Sequence, residues 1–85
     1  MVLIVCSVLD VKAAAYATPF FVPNESMAIR SFGDAVCDSN SFLAKHPEDY
    51  QLYKVGEFDD NAGALVPCSK PEFLSKAVDF VKKGG

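Results

Sequence analysis

The chain opens on Val2-Leu3-Ile4-Val5-Cys6-Ser7-Val8-Leu9, a run with Ser7 as its only polar side chain. It is apolar at odd and even positions alike and rich in β-branched residues. That pattern predicts a strand covered on both faces, the second one by a partner subunit if not by the chain itself. Asp10-Val11-Lys12 reads as a turn, and Ala13 to Phe21 as the returning strand of a hairpin. Pro19 and Pro23 bracket Phe20-Phe21-Val22, which makes that end extended and places it at an edge. Asn24 is a good N-cap, and Glu25 suits the positive end of a helix dipole. Ala28, Phe32, Ala35 and Val36 then recur at helical spacing, and the helix should finish near Cys37-Asp38. Gly33 inside it either costs about 1 kcal/mol or marks a close approach by something else.

The second half repeats the plan without repeating the sequence. Phe42 and Leu43 should tuck under the sheet, and Lys45-His46-Pro47-Glu48-Asp49 is a turn, because Pro47 drives His46 away from helical geometry. Gln51 to Phe58 reads as a strand, Asp59 to Gly63 as a hairpin loop with Gly63 left-handed, and Ala64 to Val66 as the return, stopped by Pro67. Pro71 suits the first turn of a last helix with Phe73, Leu74, Ala77, Val78 and Val81 as its apolar stripe. Lys82-Lys83 would complement the dipole at its end, before Gly84-Gly85. The predicted fold class is α+β: one small domain over 1–85, an antiparallel sheet of two hairpins (about four strands) with two helices on one face, in the order ββαββα.

Composition adds three constraints. A hydrophobic fraction of 51% is high for 85 residues and leaves apolar surface to spare, which favours a homodimer. Eight Lys and Arg against eleven Asp and Glu give a net charge of −3, which argues against simple electrostatic binding of duplex DNA but not against stacking beside a local basic patch. Cys6, Cys37 and Cys68 are widely spaced, with no C-x-x-C pair and a single histidine, so free thiols in a reducing cytosol are expected and a zinc site is not. The apolar N-terminal run is too short to span a bilayer and lacks a basic flank, so the chain is expected to be intracellular, with no membrane partner.

Catalytic chemistry finds little support. His46 stands in a turn, and its pairing with Glu48 or Asp49 in a small hydrolase is the weakest reading. The carboxylates Glu48, Asp49, Glu57, Asp59 and Asp60 lack a cleft to face each other across. Asp59-Asp60-Asn61 shares only part of a calcium loop, and no phosphate loop or nucleophile elbow occurs. No enzyme, metal or cofactor is expected. The better signal is aromatic. Tyr16 and Phe21 lie on the second predicted strand, Tyr50 and Tyr53 on the third, with Lys45, Lys54 and Arg30 as nearby cations. Exposed rings stack bases while lysines meet phosphates. Against this, Phe20, Phe32, Phe42, Phe73 and Phe80 are expected in the core, and a dimer interface would account for the remaining rings equally well. The acidic loop Glu57 to Asp60 would repel phosphates, so any strand path must avoid it.

Several pieces of the chain resemble one family. They are Ser7-Val8-Leu9-Asp10, Pro19-Phe20-Phe21, Ala28-Ile29-Arg30-Ser31-Phe32-Gly33-Asp34, and Lys45-His46-Pro47-Glu48-Asp49-Tyr50 leading to Gly56-Glu57-Phe58-Asp59-Asp60. In this order and spacing they look like the small nonstructural protein of gokushovirus-type microviruses, which are single-stranded DNA phages. The resemblance runs to about Pro67. It departs at Leu9, where an aromatic is expected, and in the tail from Ser69. It implies a non-enzymatic protein of the bacterial host cytoplasm that binds single-stranded DNA and assists viral single-stranded genome synthesis or its switch to packaging. The alternative is an adaptor that contacts the viral replication initiator or procapsid without gripping DNA.

Overall fold

A computed structural model of the chain describes residues 1–81. Strand β1 (Val2–Asp10) is the centre of an antiparallel sheet. On one side it pairs with β2 (Ala15–Tyr16) and with β3 (Phe20–Val22), which follow one another along the same edge. On the other it pairs along its whole length with β4 (Tyr50–Asp59), which pairs in turn with the edge strand β5 (Ala64–Lys76). Helix α1 (Glu25–Cys37) crosses one face of this sheet. A single helical turn, α2 (Phe42–Lys45), and two short 3₁₀ turns, Pro47–Asp49 and Ala77–Phe80, complete the described chain.

The helix forms where the pattern predicted it. The Asn24 side chain accepts from the Met27 amide at 2.9 Å, which satisfies one of the helix's orphan donors. Its buried face, Ala28, Phe32, Gly33 and Val36, packs on Ile4, Cys6 and Leu52 of the sheet, with Leu74, Phe80, Phe20 and Leu43 closing the rim. Gly33 marks a close approach: a Cβ there would lie 2.7 Å from the Phe80 ring. Phe80 also meets Phe32 edge-to-face at 5.9 Å. Gly63 takes the left-handed backbone expected of it.

The expected ββαββα order with two packed helices does not hold. The structure is a curled, mostly antiparallel sheet with one full helix. The returning strand of the first hairpin breaks into β2 and β3. Between them the Ala17 carbonyl leaves the sheet ladder to accept from the buried Ser7 hydroxyl at 2.6 Å. The larger error is at the C-terminal end. Pro67 does not stop the last strand and Pro71 does not start a helix; β5 runs through both to Lys76. An edge strand tolerates proline because the missing N–H can face outward rather than into a ladder. The apparent helical stripe is instead a strand with a bulge. Phe73 opposes Tyr53 and Ser75 opposes Leu52, so Leu74 is the extra residue and packs against the core. Ala77 is buried in the 3₁₀ turn, whereas Val78 and Val81 are exposed. The expectation for Lys82-Lys83 and Gly84-Gly85 lies outside the described residues.

Two predictions follow from this core. Gly33→Ala gains helix propensity but must push the Phe80 ring aside, and overpacking of this kind costs about 1–3 kcal/mol. Urea unfolding should show net destabilisation, and the same substitution should cost less in a Phe80→Leu background, where the ring has gone. Cys6 is sealed beneath the helix. Burial, aided by Glu25, pushes its thiol up from 9.0 to about 11. Between those values the unfolded chain has lost this proton and the folded chain has kept it, so stability should fall as pH rises through that window. Cys68, raised chiefly by burial, and Lys54, raised chiefly by its hydrogen bond to Glu57, push in the same direction. Cys6→Ala should therefore reduce the alkaline loss without abolishing it. Thiol reagents near neutral pH should label exposed Cys37 readily and Cys6 only after unfolding.

Candidate functional site

Among the described residues, no helix or strand covers the face of the sheet turned away from α1. Cross-strand register assigns its residues. Leu3, Val5, Ser7 and Leu9 of β1 stand opposite Phe58, Gly56, Tyr53 and Gln51 of β4. Tyr16 pairs with Leu9, and Phe21 with Val5. From β5, Leu65, Pro67, Phe73 and Lys76 pair with Phe58, Gly56, Tyr53 and Gln51.

Rings on this face contact one another in two rows across the strands. Tyr16, Tyr53 and Phe73 form one, with ring centroids 5.8 Å and 5.7 Å apart in edge-to-face geometry. Phe21 and Phe58 form the other at 5.7 Å. Each row is four residues from the other along β1, roughly 13 Å at strand rise. Tyr16, Phe21 and Phe73 are 46%, 48% and 50% exposed. The Tyr53 hydroxyl donates to Gln51 Oε1 at 2.9 Å, which holds its ring in place.

A bulge makes the two rows coplanar with the same face. Strand alternation would put Tyr53 and Phe58, five residues apart, on opposite sides. The register shift between Val5 and Cys6 leaves Val55 of β4 as an extra residue, so both rings come out on the open side. The Lys54–Glu57 ion pair, 3.1 Å long across the same bulge, confirms that these two residues share the opposite side. Gly56 is required at this point. A Cβ there would sit 2.8 Å from the Val66 carbonyl oxygen, because β5 crosses close over it.

Charge is sorted between the faces. Every carboxylate in the paired strands, Asp10, Glu57, Asp59 and Glu72, takes a register position on the helix side. Among the described positions that the register assigns to the open side, Lys76 is the one charged residue. A chain with eleven acidic residues thus presents an aromatic surface free of carboxylates.

Of the residues singled out from sequence, the structure brings Tyr16, Phe21 and Tyr53 onto this face and separates the other four from it. Tyr50 pairs with Asp10 on the helix side and packs against the core; burial first, then Asp10 and Asp49, raise its hydroxyl pKa. Lys54 is also on that side, largely covered and held by Glu57 and, at 3.8 Å, by Glu72. Arg30 is exposed on the outer surface of α1. Lys45 is exposed at the end of α2, its Nζ 6.0 Å from the Phe42 ring. Sequence reasoning missed Phe58 and assigned Phe73 to the core. The signal for Phe73 was Phe73-Leu74 side by side, which strand alternation sends to opposite faces. Phe42, also expected inside, is 71% exposed. His46, Glu48 and Asp49 offer ligand atoms within 4.8 Å of one another on the 3₁₀ turn; their closeness follows from local turn geometry, and two of the three are exposed.

Comparison with known proteins places the chain. The model of the phage ORF5 protein family matches residues 3–80. The chain belongs to this family. A relative, Protein ORF5 of Chlamydia phage 1, is 37% identical over 65 residues, covering 72% of this chain and 68% of that protein. The resemblance to the small protein of gokushovirus-type microviruses is thereby shown, and the family match extends beyond Pro67 into the tail that had seemed to depart from it. No solved structure matches. Among the described residues, no helix is long and apolar enough to cross a membrane.

Proposed function

We propose that this phage protein is a non-enzymatic, nonstructural protein that binds single-stranded DNA on its open sheet face in the bacterial host cytoplasm. There it would assist viral single-stranded genome synthesis or the switch to packaging. One observation carries the reading: five rings in two contacting rows stand on a solvent-facing sheet surface from which every strand carboxylate is excluded. Unpaired bases have apolar faces that stack on such rings at about 1–3 kcal/mol each, without regard to sequence. Tyr16, Tyr53 and Phe73 form the main platform, and Phe21 and Phe58 the second. Lys76 is the cation at its margin, with Arg30 and Lys45 too far round the molecule to be more than peripheral phosphate contacts.

Duplex DNA hides those base faces, and a net charge of −3 gives its phosphates no general attraction. The proposed preference is therefore for single strands. A second reading, an adaptor for the viral replication initiator or procapsid, draws support from exposed Leu65 and Val66 at the far end of β5. Aliphatic side chains suit a protein surface better than a base.

Anisotropy titration of a labelled oligothymidine against the full chain tests the proposal. Binding should be measurable at low salt and should weaken only gently as salt rises, since few phosphates are neutralised. Tyr53→Ala and Phe73→Ala should each weaken it roughly 5- to 150-fold, by the stacking energies above, while Arg30→Ala changes it little. An absence of binding at low salt, with a viral protein still recovered by the chain after nuclease treatment, would decide for the adaptor.

A further inference from the structure

The helix side of the molecule has its own unfilled surface, which meets the open sheet face only at Tyr16. Two apolar hollows adjoin between the β1–β2 hairpin and α2, sharing Val8 and Leu43 as common wall. The inner one, about 280 Å³, is floored by Phe20 and Phe32. The outer one, about 410 Å³, runs past Ala15 to Tyr50. An apolar cavity of about 150 Å³ is enough to take up benzene, so either hollow has room for a phenyl ring.

Phe42 stands at the mouth of the outer hollow, lines it, and does not fill it. It is the most exposed large hydrophobic side chain of the described residues. Ser41 caps the turn that carries it, accepting from the Ala44 amide at 3.1 Å, so the ring is presented on fixed backbone. A projecting ring beside a ring-sized hollow is self-complementary under a two-fold axis: each copy's projection meets the other's hollow. Charge agrees with the fit. Lys45 rides over the Phe42 ring, whereas Asp10 is the one charged residue of the hollow's wall. A ring entering a second copy would carry an ammonium toward a carboxylate.

We propose that the chain forms a two-fold dimer in which Phe42 of each copy enters the groove bounded by Val8, Leu43 and Tyr50 of the other, with Lys45 facing the second copy's Asp10. This arrangement leaves Tyr53, Phe73 and Phe21 uncovered and reaches the open face only at Tyr16, which also lines the outer hollow.

Sedimentation equilibrium of the full chain tests it. A reversible dimer is expected, and Phe42→Ala should weaken it at least ~10-fold, as loss of a central aromatic anchor does. Because Phe42 is outside the core, melting at concentrations where the chain is monomeric should be nearly unchanged. Lys45→Glu should also weaken the dimer, and much less so when Asp10→Asn has already removed its counterpart. A chain that stays monomeric up to about 1 mM overturns the proposal. So does a dimer indifferent to Phe42→Ala, or one that Phe73→Ala dissociates instead, which would put the seam on the open face.

Discussion

One helix covers one face of the sheet, and the rest of the molecule is arranged around that imbalance. Helix α1 closes the core by setting Ala28, Phe32 and Val36 on Ile4, Cys6 and Leu52. An antiparallel sheet with a single covered face ordinarily alternates apolar-in with polar-out. Here the far face includes Leu3, Val5, Leu9, Tyr16, Phe21, Tyr53, Phe58 and Phe73, with Ser7, Gln51 and Lys76 as its polar members. Fully exposing so much apolar surface is unfavourable by about 25 cal/mol per Å². The rings reduce this by leaning on one another edge-to-face, which is why Val5 and Ser7 beneath them are nearly inaccessible. The face is a partly dried surface, ready to lose its remaining water to a flat apolar ligand.

The legible parts of the fold were those in which local pattern and tertiary structure agree. The N-cap Asn24, the stripe through Ala28, Phe32 and Val36, the turn at Pro47 and the left-handed Gly63 all came from short-range chemistry. The first strand, apolar on both sides, reads as central or covered on both faces; it is central in the sheet, but no described element covers its second face. What escaped was everything that depends on a bulge. Val55 and Leu74 each break the two-residue period, and a break moves every later side chain to the other face. By the two-residue period Tyr53 and Phe58 would stand on opposite sides, whereas the bulge puts them on one face; Tyr53 and Lys54, adjacent along the strand, lie on opposite sides by ordinary alternation. Pro67 and Pro71 misled for a related reason. Proline signals the end of a strand only if its nitrogen must donate, and an outer edge does not ask that of it.

The same sorting of faces is what would let an acidic protein receive an anionic polymer in the proposed role. Surface charges act over a Debye length of about 8 Å at physiological salt. Carboxylates that project from the helix side are separated from the ring platform by the sheet itself, so their repulsion reaches a strand on the open face weakened by distance and screening. Lys54 contributes too, though not as a phosphate contact. By pairing with Glu57 and Glu72 it holds two carboxylates on the helix side at the bulge that turns Phe58 outward. A lysine placed instead on the open face would strengthen binding to any nucleic acid, duplex included. Under the proposed function, a platform of rings with one marginal cation would select for bases that are already unstacked and would release them easily. Easy release would suit the proposed role, in which the protein covers a strand while it is being made and gives it up when it is packaged.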